Sequence, residues 1–342
     1  VDAAIAPQIR TLLQQGVNWA TLIQLAAKHR VLSPLGTHLK AVCPDAIPAD
    51  VLNVLQTHSQ QTVRKNLFQA VQLVKLLQRF EDNRIPVIPF KGPTLAIAVY
   101  NTLATRPFSD LDLLISPRDL PLAQDLLITE GYQLRGAMGW ECQWGHPETR
   151  VAVDLHQALA PRFFSLALTF EQLYDRQQSI ALAGATVPAL STADLLVILS
   201  IQWGKDCCEW RACLAQLCDV AALLHRYPAL EWASILQRSR AIGIERMLLL
   251  LLLLTRDLLS IKLPEIVSER LLAHPGVNGL ADQVNTWLWA ESLPKVSGKS
   301  FWSLLQTYNH RFYLSLRERL LERSTYCSYW LLSALYHSMI GK

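Results

Sequence analysis

Asp110-Leu111-Asp112-Leu113-Leu114-Ile115 is the stretch on which the reading of this chain turns. Side chains two apart on a strand project to the same face. Asp110 and Asp112 therefore stand together, while Leu111, Leu113 and Ile115 point the other way into a core. Two carboxylates so close repel one another unless a cation lies between them. Mg²⁺ is the natural one, since it takes oxygen ligands and is usually shared with phosphates. Taken alone, an Asp-x-Asp pair is more often a solvated strand end.

Downstream, the segments 140–144 and 150–156 flank His146-Pro147-Glu148-Thr149, a plausible hairpin loop. In the second of them Val151, Val153 and Leu155 share one face, and Asp154 and His156 the other. If this strand neighbours the first, Asp154 becomes a third carboxylate. Three carboxylates can hold two metal ions about 3.5–4 Å apart, the arrangement that activates an attacking oxygen and stabilises a leaving phosphate. His156, on the face of Asp154, is a candidate acceptor contact or support for the carboxylates. His146 reads as a turn histidine.

Upstream, Ile85-Pro86-Val87-Ile88-Pro89-Phe90 is a short β-type run ending in Lys91-Gly92-Pro93, with Pro93 where the first turn of a helix tolerates it. That helix would run to about Asn101. Gly92 permits close backbone approach, the helix start offers free N–H groups, and Lys91 adds positive charge for phosphate. The plainer reading of Lys91 is a strand-end lysine reaching for solvent. Arg106, four residues before Asp110, can pair with carboxylates or reach a triphosphate.

Together Lys91-Gly92, Tyr100, Arg106, the Asp110–Leu114 stretch, Gly131-Tyr132 and Val153-Asp154-Leu155-His156 resemble the uncharacterised nucleotidyltransferase family of the DNA polymerase beta-type superfamily. The resemblance is strongest over residues 84–160. It extends to about 225 through Ser191, Asp194, Gly204-Lys205, Trp210 and Cys218-Asp219. It implies a mixed sheet with packed helices and an NTP, expected to be ATP, bound over two Mg²⁺ or Mn²⁺ ions. Asp110 and Asp112 would bind metal, Asp154 would be the carboxylate that helps activate an acceptor hydroxyl, and Lys91, Gly92 and Arg106 would meet the nucleotide. Lys91-Gly92 stands where the wider superfamily has Gly-Ser, and Trp203 and Asp206 stand where relatives tend to carry His.

The rest of the chain frames this centre. Residues 1–82 read as helices, with Leu67, Val71, Val74 and Leu77 on one stripe of a long one. Ser116-Pro117-Arg118-Asp119 resembles a helix start, and Gly131 its end. From Ser191-Thr192-Ala193-Asp194 the chain reads as helical to its end. The expected architecture is α+β: an N-terminal helical region over 1–82, a nucleotidyltransferase core over 83–190 and a C-terminal helical domain over 191–342.

Composition narrows the function further. Of 342 residues 51% are apolar and 18% charged, which supplies a large core and excludes a disordered chain. A net charge of +4 provides no broad basic face, so a polymerase or dedicated nucleic-acid binder is not expected. The longest apolar run, Met247 to Leu254, is too short to span a membrane and reads as a buried helix. Val1-Asp2-Ala3 lacks the basic-then-apolar order of a secretory signal, and the expected compartment is the cytoplasm. Cys207, Cys208, Cys213 and Cys218 match no zinc spacing and read as small apolar residues of a buried helix. Arg311, Arg317, Arg319 and Arg323, set among aromatic residues, suit an amphipathic helix.

The function expected is transfer of a nucleoside monophosphate from an NTP to a hydroxyl of a small molecule, peptide or protein. Two alternatives share the Asp-x-Asp strand. One is a metal-dependent glycosyltransferase using a sugar nucleotide, and the other a catalytically inert interaction module on the same fold.

Overall fold

The computed structural model describes residues 6–290 together with Phe312, Ser315 and Leu316. The sequence opens with α1 (Ala6–Gln14), α2 (Trp19–Lys28), α3 (Leu32–Val42) and the long α4 (Ala49–Asp82). Asn18 caps α2 by accepting the Thr21 N–H. Leu32, Leu39, Val51 and Leu55 close a small core between α3 and the first half of α4.

The second half of α4 lies on the sheet with Val74 and Leu77 of the predicted stripe against the core, but the buried face is turned away from the stripe's first half. Leu67 and Val71 are exposed, and the buried face is Asn66, Gln69, Ala70, Leu73, Leu76, Leu77 and Phe80. Two amides explain the rotation. Asn66 Nδ2 donates to the carbonyls of Leu103 (2.7 Å) and Arg106 (2.8 Å), and Gln69 Nε2 to that of Ser109 (2.9 Å). Polar residues thus take positions that an apolar count assigns to the outside, and they hold the loop leading into Asp110.

The middle of the chain supplies β1 (Val87–Pro89), α5 (Gly92–Tyr100), β2 (Asp110–Ile115), α6 (Leu120–Thr129), β3 (Gln133–Ala137), β4 (Glu141–Gly145) and β5 (Ala152–His156). These strands form one mixed sheet in the order β1-β2-β5-β4-β3. β2 and β5 run parallel, and the other pairs are antiparallel. The helix after β2 begins at Leu120 rather than at the predicted Ser116-Pro117. Ser116 Oγ donates to Glu171 instead of capping, residues 116–119 form a turn, and Pro121 takes the first-turn position.

α7 (Phe170–Tyr174) is followed by a hairpin of β6 (Gln178–Leu182) and β7 (Ala185–Ala189) that the sequence reading did not find. Its two turn residues, Ala183 and Gly184, both have positive φ, the backbone that suits a tight hairpin. The remaining described elements are α8 (Thr192–Cys208), α9 (Leu214–Arg226), α10 (Trp232–Ile242), α11 (Glu245–Leu259), α12 (Glu265–Leu272) and α13 (Gly276–Leu288). Ser191 caps α8 as its sequence predicts, accepting the Asp194 N–H.

The sheet separates two cores. Leu111, Leu113, Ile115, Val153 and Leu155 pack with α4 and α6 on one face. On the other, Ile88, Phe90 and Leu114 join a larger core built on α8, α9, α11 and α13. Met247 and Leu248 to Leu254 are buried all round in α11, as an apolar run inside a helical bundle must be. Among the described residues no helix is long and apolar enough to cross a membrane. Val1-Asp2-Ala3 and most of the basic, aromatic stretch from Arg311 to Trp330 lie outside the described residues.

Candidate active site

Parallel pairing of β2 with β5 sets Asp110 opposite Ala152, Asp112 opposite Asp154 and Leu114 opposite His156. Alternation along each strand then places Asp110, Asp112, Asp154 and His156 on the face turned toward the helical bundle. Ligand atoms of Asp112, Asp154 and His156 all lie within 4.8 Å of one another. Asp110 sits at the open end of the strand, where Ser109 Oγ donates to its Oδ2 at 3.1 Å.

Asp112 is the buried anchor of the group. One oxygen, Oδ1, meets Lys91 Nζ at 3.3 Å and accepts from His156 Nε2 at 3.2 Å. Burial alone would raise its pKa, but Lys91 and His156 together hold it well below the usual carboxylate range. Asp110 is raised by burial and then by the Asp112 charge. Asp154 is pushed up to about 7 by burial and by the neighbouring Asp112, Asp110 and Glu141. The crowding therefore falls on Asp110 and most of all on Asp154, which binds a proton more readily where no cation offsets the charge.

Glu141 on β4 is a fourth acid that the sequence reading missed. It faces His156 across the β4–β5 pairing, with Oε2 3.4 Å from His156 Nδ1, an ion-pair approach without hydrogen-bond alignment. Gln143, two residues on, is paired with Asp154. The i, i+2 spacing of Glu141 and Gln143 was the available signal, since it marks them for the same face as Asp154.

The Lys91-Gly92 turn lies beside these acids. Lys91 stands at the N-cap position of α5, its side chain turned to Asp112 and not to the helix end, and Gly92 adopts φ +57. A Cβ on Gly92 would come 3.1 Å from the Asp110 carbonyl, so the glycine lets the helix start approach β2. Arg106 lines the same cavity, but its Nε donates to Asp219 of α9 at 2.9 Å and not to Asp110 or Asp112. Tyr100 Oη donates to the other Asp219 oxygen at 2.8 Å, so Asp219 ties α5 and the pre-β2 loop to α9. Burial lowers the affinity of Arg106 for its proton, yet the Asp219 charge more than restores it.

These groups line one side of a cavity of about 310 Å³. Gln202, Lys205 and Asp206 of α8 and Gln216 of α9 form its helical wall. Arg30, from the turn between α2 and α3, also reaches it, although no sequence pattern in residues 1–82 marks a site. His146 stays outside: its Nδ1 accepts the Glu148 and Thr149 N–H groups, as a turn histidine does. Cys207, Cys208 and Cys213 are buried free thiols and Cys218 is half-buried, in keeping with their reading as small apolar residues.

Residues 15–260 match the pattern of a protein family described as uncharacterised nucleotidyltransferase. The chain belongs to this family. That membership replaces the glycosyltransferase alternative. No curated protein matches the chain in sequence. Among solved structures, the lincosamide antibiotic adenylyltransferase LnuA with lincomycin bound is similar at 16% identity and a TM-score of 0.30, over 36% of this chain and 82% of that one. The antibiotic-resistance factor ANT(2'')-Ia in solution is similar at 12% identity and 0.40, over 51% and 91% of the two chains. Its crystal structure with adenylyl-2''-tobramycin gives 13% and 0.38, over 51% and 96%.

Proposed function

We propose that this nucleotidyltransferase moves a nucleoside monophosphate from an NTP, with ATP as the expected donor, to a hydroxyl of a small-molecule, peptide or protein acceptor. The acceptor oxygen attacks the α-phosphorus, the bond to the bridging β-phosphate oxygen breaks, and pyrophosphate leaves. The observation that carries this reading is the in-register pair Asp112 and Asp154 with Asp110 on the same face, in a cavity that also holds the Lys91-Gly92 helix start.

The donor set fits a hard divalent cation. Asp112 and Asp154 bring carboxylate oxygens within 4.8 Å of one another, with Asp110 on the same face outside that distance group, and the proton taken up by Asp154 is the charge that such a cation would replace. Asp110, Asp112 and Asp154 would hold Mg²⁺ or Mn²⁺, which supplies neutralisation of the triphosphate charge. His156 and Lys91 fix the Asp112 carboxylate from two sides. Asp154, opposite Asp112 on β5, is the carboxylate assigned to help activate the acceptor hydroxyl. The N–H groups at the start of α5, with Lys91, offer the phosphates their donors.

The test is pyrophosphate release from each of the four NTPs with Mg²⁺ or Mn²⁺ and a pool of small hydroxyl compounds, for wild type and Asp154→Asn. Metal-dependent release lost in the variant supports the reading. Equal release by both proteins would overturn the role of Asp154.

A further inference from the structure

Most cations around the cavity are already matched. Lys91 pairs with Asp112, Arg106 with Asp219, and Arg211 with Asp206 and Glu209. Lys205 is different. It lies on α8, is only 7% exposed and lines the cavity, yet its ammonium has no hydrogen bond or ion pair with any described residue. The residue is packed into the wall and its ammonium is left without a counter-charge beside the cavity, where an anion would supply one.

Arg30 is a second cation without a matched carboxylate, an exposed one. It lines the same cavity from the α2–α3 turn, in a left-handed backbone conformation (φ +57), and its guanidinium meets no carboxylate among the described residues. A non-glycine residue held in that region marks a conformation fixed by its surroundings. Those surroundings are the start of α9: the Ala215 N–H donates to the His29 carbonyl at 3.2 Å, and the Leu214 N–H to His29 Nδ1 at 3.4 Å.

We propose that Lys205 and Arg30 form an anion subsite on the helical wall of the cavity, and that it takes an acidic group of the acceptor. The inference rests on the transferase reading. In that reading the donor phosphates belong beside Asp110, Asp112 and the start of α5, all on the sheet side. Lys205 comes from α8 and Arg30 from the α2–α3 turn, neither of them from the strands or the start of α5, which leaves them to the second substrate. The acceptor class is therefore a small hydroxyl compound bearing a phosphate or carboxylate.

The test is calorimetric. The full chain, loaded with Mg²⁺ and the non-hydrolysable α,β-methylene analogue of ATP, is titrated with glycerol 3-phosphate and, as the neutral control, with glycerol. The expected result is binding of glycerol 3-phosphate alone, weakened about tenfold or more by Lys205→Met and by Arg30→Ala, with analogue affinity changed less than about twofold. Arg30 is exposed, so its variant carries the test if Lys205→Met does not fold. Equal affinity for glycerol and its phosphate overturns the proposal, as does a loss of analogue binding in the variants, which would assign the cations to the donor. If the wild type binds no analogue, the transferase reading fails. Glycerol 3-phosphate is then titrated into the nucleotide-free chain, where binding that depends on Lys205 upholds the subsite and no binding overturns it.

Discussion

Asp112 and Asp154 face each other directly across two parallel strands, yet their proton affinities are driven in opposite directions. Asp112 has Lys91 and His156 against it, while Asp154 has three other acids and little to offset them. The metal-free protein therefore has a defined pH signature. The pKa of Asp154 is raised in the folded state to about 7, against about 3.9 in an unfolded chain. Between those values the folded chain binds more protons, so its stability falls as pH rises through the window. Asp112 contributes the opposite slope only below the ordinary carboxylate range. Burial lowers the pKa of His29 and His38, which gives a rise over part of the same range, so the signature is read as a difference: in urea unfolding in EDTA from pH 4 to pH 8, wild type should lose stability with rising pH relative to Asp154→Asn, and saturating Mg²⁺ should remove that difference. The same pH dependence in wild type and Asp154→Asn would contradict the assignment.

Gly92→Ala tests the approach of α5 to β2. The substitution places a Cβ 3.1 Å from the Asp110 carbonyl in a backbone with φ +57. The left-handed conformation alone costs about 1–2 kcal/mol. The expected outcome is a loss of that order in thermal or urea stability, with nucleotide binding weakened more than stability accounts for, since β2 must shift. Wild-type binding by a folded Gly92→Ala would separate the turn from the site.

Asn66→Ala removes both amide hydrogen bonds that hold the carbonyls of Leu103 and Arg106. Each buried acceptor left unsatisfied costs about 1–3 kcal/mol. Urea midpoints should fall accordingly. Hydrogen exchange should rise first in residues 101–109, because that loop loses its support, and unchanged exchange there would refute the buttress.

What the sequence disclosed and what it hid divide along physical lines. Period-two alternation is local, so the faces of Asp110, Asp112, Asp154 and His156 were legible, and parallel pairing then brought them together. The rotation of α4 was not legible. Asn66 and Gln69 are buried only because distant carbonyls need donors, and a count of apolar residues selects Leu67 and Val71 instead. The β6–β7 hairpin was hidden for a similar reason, since Ala183-Gly184 is a weak turn signal with only short strands around it. Arg30 reaches the cavity through the docking of the α2–α3 turn on α9, a contact between residues about 185 apart in the chain that no spacing rule reports.

Asp219→Asn addresses the tie between α9 and the loop before β2. Removing one partner of a buried pair leaves an uncompensated charge and costs about 3–5 kcal/mol. Arg106 Nε and Tyr100 Oη both donate to Asp219, so the single variant should be strongly destabilised. A double variant Arg106→Met, Asp219→Leu should recover much of that loss, because it removes the buried charges together. Stability measured by calorimetry in the two variants decides this, and an additive loss in the double variant would show that the two residues act independently.

The central claim is that the carboxylate face of β2 and β5 is a metal-dependent nucleotide site. It is tested most directly by calorimetric titration of α,β-methylene ATP into wild type with Mg²⁺, wild type with EDTA, and Asp112→Asn with Mg²⁺. The account predicts binding in the first case, and binding weakened by about tenfold or more in the other two. Equal affinity in all three would contradict it by showing a nucleotide site that uses neither the metal nor Asp112, and no binding in any would contradict it and favour an inert member of the family.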